Sequence, residues 1–121
     1  MFSITVKDHV MIAHSLPDPY FGPAQNMHGA TYVVEASFKS PSLNEQNVVI
    51  DIGEATDILK DVLQEMAYQN LDELPQFRGI LTTTEYLAQY IHGKIKSALR
   101  EDLILKVELF ESHVASAAYE E

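Results

Sequence analysis

The 121 residues include no cysteine and no tryptophan. Without thiols there is no disulfide, no thiolate metal site and no cysteine nucleophile, and nothing demands an oxidising compartment. Basic residues are also scarce: 8 Lys plus Arg stand against 18 Asp plus Glu, a formal net charge of -10. That sign repels phosphate backbones and anionic headgroups, so neither nucleic acid nor a membrane is an expected partner. Long apolar runs are missing too. The opening MFSITVKDHVMIAHSL interrupts its apolar positions with polar ones and has neither the h-region of a signal peptide nor a membrane span, so a cytoplasmic protein is expected. What is present is the composition of a folding chain, 46% hydrophobic and 21% charged, at a length that suits one domain over residues 1–121 with a single core.

From Phe2 to His14 the even positions Phe2, Ile4, Val6, Val10, Ile12 and His14 share one face of an alternating strand, broken only at Asp8. SLPDPYFGPAQN, with three Pro and one Gly, reads as a shaped loop. A second alternation follows through His28, Ala30, Tyr32, Val34, Ala36 and Phe38, and VVIDI reads as a short β-branched strand ending at Asp51 and Gly53. Ala55, Ile58, Leu59, Val62, Leu63 and Met66 have helical spacing. A second helix is announced by Thr82 with Glu85 three residues on, a capping-box spacing, and its core face runs Leu87, Ala88, Ile91, Ile95, Ala98, Leu99. Leu103, Leu105, Val107, Leu109, Glu111 and His113 then line one face of a last long strand, and SAAYEE suggests a short edge strand. This order predicts an α+β layer, an antiparallel sheet with two helices on one face. Strands so apolar with only two helices to cover them favour self-association.

Polar groups end these apolar faces: His14, His28, and Glu111 with His113. Each is costly to bury without partners. Two imidazoles closing neighbouring strand faces suit zinc, although a hydrogen-bonded core or rim imidazole is the plainer reading of either one. A carboxylate such as Glu111 suits an amidine-like ligand edge by two parallel hydrogen bonds, and otherwise is the first solvated residue past the core. His9 and His92 read as ordinary surface or helix positions.

In order and over nearly the whole chain, AHSL at residues 13–16, MHGATYVVEA, VVIDIG, TTTEYLAQYI and VELFESHVASAAYE resemble the 6-pyruvoyl-tetrahydropterin and 6-carboxytetrahydropterin synthase family. The resemblance implies a tunnelling fold, in which sheets close into a barrel by oligomerisation, as a homohexamer with sites at subunit interfaces. It implies catalytic zinc held by a His in an AHRL-like strand end and two in an HGH motif. His14 and His28 match the first two, but Ala30 stands at the third. Ala24 aligns with the family's Cys, and Ala67 with Tyr68 aligns with its Asp-His pair. The pterin anchor is kept, in Thr83, Thr84 and Glu85 of the TTE-type helix start and in Glu111 of the last strand.

The resemblance therefore implies a pterin ligand with altered chemistry. His113, expected on the face of Glu111, is the candidate third zinc ligand beside His14 and His28. Tyr68 as proton donor and His113 as base would serve a zinc-dependent, lyase-like cleavage of a dihydroneopterin-type side chain, with standard synthase activity absent or weak. A non-catalytic pterin-binding protein and a purely structural relative with a protein partner are the competing readings.

Overall fold

The computed structural model describes all of residues 1–121. Four strands, β1 (Phe2–His14), β2 (His28–Ser40), β3 (Ile104–Ser112) and β4 (Ala115–Glu120), form one antiparallel sheet in the order β1-β2-β3-β4. Two helices, α1 (Ile52–Gln64) and α2 (Thr84–Ala98), lie over it, α1 against β1 and α2 against β3 and β4. The expected α+β layer is thus the observed one.

The pleat explains which residues are inside. β1 pairs with β2 without a break from Phe2 opposite Ser40 to His14 opposite His28, so the even positions of both strands share one face. Val10, Ile12, Tyr32, Val34, Ala36 and Phe38 are buried there. β3 continues that face with the buried Leu105, Val107 and Leu109. The helices close over it with Ala55, Leu59, Val62 and Leu63 from α1 and Leu87, Ala88, Ile91 and Ile95 from α2. The opposite face has no helix on it, and its polar pairs are made within the sheet: Thr5 with Ser37, Lys7 with Glu35, and Ser116 with Glu108. Met11 and Val33 are exposed on it.

Four sequence expectations shift. VVIDI is not a strand: the Asn44 side chain accepts from the Val48 N–H while the Val48 carbonyl accepts from the Asn44 N–H, a local loop that removes ladder groups. Only Ile50 of that run enters the core, and Asp51 instead caps α1 by accepting from the Glu54 N–H at 3.0 Å. The cap of α2 is Thr83, which accepts from the Tyr86 N–H, rather than Thr82. His92 is buried, edge-on to Tyr119, while Ala98 of the expected core face is exposed. Finally, a bulge between Phe110 and Ser112 and a turn at 113–114 end β3 before His113. The alternation that carried His113 to the core face stops one residue short of it.

Asp51 is expected to contribute to stability as a cap, so Asp51→Ala should cost about 1 kcal/mol in urea unfolding while Asp51→Asn keeps most of it. Equal midpoints for Asp51→Ala and the unaltered protein would show that the cap contributes nothing.

Candidate functional site

Three rows of the sheet's inner face lead to one end of the molecule: Val10 opposite Tyr32, Ile12 opposite Ala30, and His14 opposite His28. The β2–β3 register pairs Val33 with Phe110, which brings Glu111 to the end of the row that holds Tyr32. The first turn of α2 arrives over the same end. A cavity of about 300 Å³ results, with His14, His28, Tyr32 and Glu111 on the sheet side and Thr83, Thr84 and Glu85 on the helix side. Its rim is the proline-rich loop, which contributes Leu16, Phe21 and Ala24. That loop is drawn in by the Leu16 N–H donating to the Ala24 carbonyl at 3.0 Å, and it turns at Gly22, whose φ of 55° an L side chain rarely adopts.

Each imidazole is tethered. His28 Nδ1 lies 2.7 Å from the Asn26 carbonyl oxygen, and His14 Nδ1 lies 2.9 Å from the Thr82 hydroxyl. The two rings meet edge to face with centroids 4.7 Å apart. Burial, then the neighbouring His28, push the His14 pKa below the ordinary imidazole value, against weaker opposing pulls from Asp72 and Thr82. Nearby, Asp72 holds the start of the loop by accepting from the Ser15 N–H and hydroxyl.

Tyr32 was legible only as a core-face residue. Its phenol is buried among groups that line the cavity, and burial raises its pKa above the usual phenol value. A hydrogen bond with Thr84 works the other way, and the charge of Glu111 adds to the rise. Two other hollows, of about 430 and 390 Å³, are larger but chemically poorer. The first contains Asp18 and Asp72, both already engaged by hydrogen bonds, and the second has Tyr68 as its one titratable group.

The expected residues thus divide. His14, His28, Thr83, Thr84, Glu85 and Glu111 come together in one cavity. Tyr68 does not join them: it is exposed at a φ of 60°, its N–H donating to the Met11 carbonyl beyond the outer edge of β1. His113 is exposed in the β3–β4 turn and is not among the lining residues.

A family model described as 6-pyruvoyl tetrahydropterin synthase matches residues 3–121. The chain belongs to that family. Its relatives in this pterin synthase family include the 6-pyruvoyl tetrahydrobiopterin synthase of Dictyostelium discoideum, 32% identical over 76% of this chain and 69% of that protein. The 6-carboxy-5,6,7,8-tetrahydropterin synthase of Aquifex aeolicus is 27% identical over 79% of this chain and 75% of its own. In fold the chain matches the 6-pyruvoyl tetrahydropterin synthase of Caenorhabditis elegans with a TM-score of 0.89, at 23% identity over 99% of this chain and 95% of that one.

Zinc is the metal the family resemblance implies, and the donor set of one subunit does not fit it. Two imidazoles make half of a tetrahedral set. The side chain two residues after His28 on its face is the methyl of Ala30, His113 lies in the turn, and no three or more His, Asp or Glu side chains are placed so that they could hold a metal ion together. The expected His14, His28 and His113 triad is therefore not formed.

Because its pKa is raised on folding, Tyr32 contributes stability that is present in full below about pH 10 and is lost as pH rises through its folded value. Tyr32→Phe should flatten the alkaline limb of thermal stability. Glu111→Gln should bring the Tyr32 ionisation, followed by ultraviolet absorbance, back towards the ordinary phenol value. An alkaline limb unchanged by Tyr32→Phe would refute the assignment.

Proposed function

We propose that the cavity binds a reduced pterin and that the protein is a lyase-type pterin enzyme acting on the side chain of a dihydroneopterin-like substrate. One observation carries the reading: a carboxylate with a helix start and a pair of imidazoles face each other across a single cavity. Glu111 complements the amino group and ring N–H of the pterin, two charge-assisted hydrogen bonds to one carboxylate. The Thr83 and Thr84 side chains and the amide groups of the helix start address the ring's acceptors. A volume of about 300 Å³ is at the lower end of small-molecule pockets, which suits a two-ring heterocycle with a short side chain.

The reacting groups within the subunit are then the histidines. A neutral imidazole nitrogen takes the proton of the side-chain 2′-hydroxyl. The C1′–C2′ bond breaks to release an aldehyde, its electron pair passes into the ring's imine, and C1′ is reprotonated. No metal enters these steps. Standard synthase activity is expected to be absent or weak, because the methyl group of Ala24 in the cavity wall moves no proton. That methyl also favours the second reading, a pterin-binding protein without turnover. Tyr68 and His113 belong to the reaction only across a subunit boundary, in a homo-oligomer of the hexameric kind, where the exposed edge of β1 and the β3–β4 turn of one copy meet the cavity of another.

Calorimetry with neopterin should show binding that Glu111→Gln weakens by about tenfold or more, since an amide must donate where the carboxylate accepted. Absence of heat for the unaltered protein would refute the pterin site. Incubation with dihydroneopterin, followed by mass spectrometry, should yield the cleaved pterin and the aldehyde; binding without product establishes the carrier reading. Sedimentation should show an oligomer, and a monodisperse monomer removes Tyr68 and His113 from the reaction.

A further inference from the structure

The ionised side chains around the cavity are of one sign. Ten residues line it, and among them are two carboxylates, Glu85 and Glu111, with neither lysine nor arginine. Two more acids hold the loop that forms the rim: Asp72 accepts from the Ser15 N–H, next to His14, and Asp18 accepts from the Tyr20 N–H, next to Phe21. The imidazoles act in the proposed reaction as neutral rings and supply no charge. The start of α2 would attract an anion, but its own residues already meet it, since the Thr83 hydroxyl accepts from the Tyr86 N–H and Glu85 puts a carboxylate in the first turn.

The chain's 8 basic residues lie elsewhere. Lys7 pairs with Glu35, Lys39 with Glu120 and Lys106 with Glu108, all on the face of the sheet turned away from the helices. Lys94 pairs with Glu65, and Lys96 donates to the Leu103 carbonyl near the far end of α2. That leaves Lys60, Arg78 and Arg100, all exposed and none of them lining the cavity. In the proposed homo-oligomer a neighbouring copy brings the same set, so it too has only these three unpaired.

We infer that the site takes a pterin whose side chain is an uncharged polyol and discriminates against the same pterin carrying a phosphate ester on that chain. The inference rests on the proposed pterin reading and names the charge of its substrate. A phosphate monoester brings roughly two negative charges at neutral pH and calls for the forked or point donors of arginine and lysine. Beside Glu85 and Asp72 it meets like charge instead. The hydroxyls of an uncharged chain need no cation: the imidazole nitrogens can hydrogen-bond them, and the apolar Leu16 and Phe21 of the rim suit the carbons between.

Calorimetry on the protein as purified, with neopterin and neopterin monophosphate as the two probes, tests the preference. Neopterin should bind about tenfold or more tightly than its phosphate ester at low ionic strength, and added salt should narrow the difference because it screens like charges. Glu85→Lys should narrow it too, by tightening the phosphate ester. Dihydroneopterin and its phosphate ester, offered together and followed by mass spectrometry, should be consumed in the same order of preference. A phosphate ester that binds as tightly as neopterin, or more tightly, overturns the inference and leaves the pterin reading standing. A difference that neither salt nor Glu85→Lys alters overturns it as well, since the discrimination is then one of size. Should Glu85→Lys fail to fold, the salt dependence still decides. Absence of heat from both probes refutes the pterin site, and this inference with it.

Discussion

The thirteen-residue pairing of β1 with β2 is the constraint on which the rest depends. Because side chains alternate, a slip of one residue would send every even position to the opposite face. Val10, Ile12, Tyr32 and Val34 would lose their cover together, each worth roughly 1.5–3 kcal/mol when fully buried. Register is therefore held by hydrophobic burial along the whole strand. The polar end of the face inherits that precision: His14 is opposite His28 because Val6 is opposite Ala36. The imidazole pair is positioned by apolar residues that never approach it.

Three elements outside this pairing then complete the cavity, each held by a different force. Glu111 is placed by the β2–β3 ladder, within the bulge between Phe110 and Ser112. Thr83, Thr84 and Glu85 are placed by the start of a helix whose Leu87, Ala88 and Ile91 are fully buried. The loop with Phe21 and Ala24 is placed by backbone bonds and by Asp18, whose side chain accepts from the Tyr20 N–H. Of the three, the loop has no buried residue of its own between Pro19 and Gln25. It is the part of the wall with the least hydrophobic support, which suits the side of the cavity through which a ligand passes.

The strands and both helices were legible because their burial follows one period each, 2 or 3.6. VVIDI was not, because a β-branched run says nothing about whether a partner strand is free, and here Asn44 and Asp51 engage its surroundings first. His92 was missed because a lone histidine in a helix carries no sign of burial, which Tyr119 on β4 supplies. Glu111 and His113 looked equivalent by alternation and are not, since a bulge at Glu111 and the turn at 113–114 end the strand before His113. The cap was misplaced by one residue because Thr82, Thr83 and Thr84 are identical in a sequence. The contacts of Thr82 with His14 and of Thr84 with Tyr32 distinguish them, and those contacts are tertiary.

The two sides of the cavity differ in what they can contribute to a reaction. In the proposed reading, contacts of Glu111 and the helix start with a pterin ring would be the same before and during a change at the side chain, so they would lower the energies of bound substrate and transition state alike. Tight binding alone therefore implies no rate. Acceleration has to come from groups whose interaction grows as the side chain reacts, and in the proposed reaction these are the histidines of the cavity, whose neutral rings can gain a proton at that moment. A base is effective only if its lone pair is already aimed when the proton begins to move. For His28 that aim is fixed by the Asn26 carbonyl, within its own loop. His14 is tethered instead to Thr82, just before the helix start that presents Thr83, Thr84 and Glu85. A shift of that helix start would disturb both sides of the cavity together, so in the proposed reaction the packing of Leu87 and Ile91 beneath it would bear on catalysis as much as on stability.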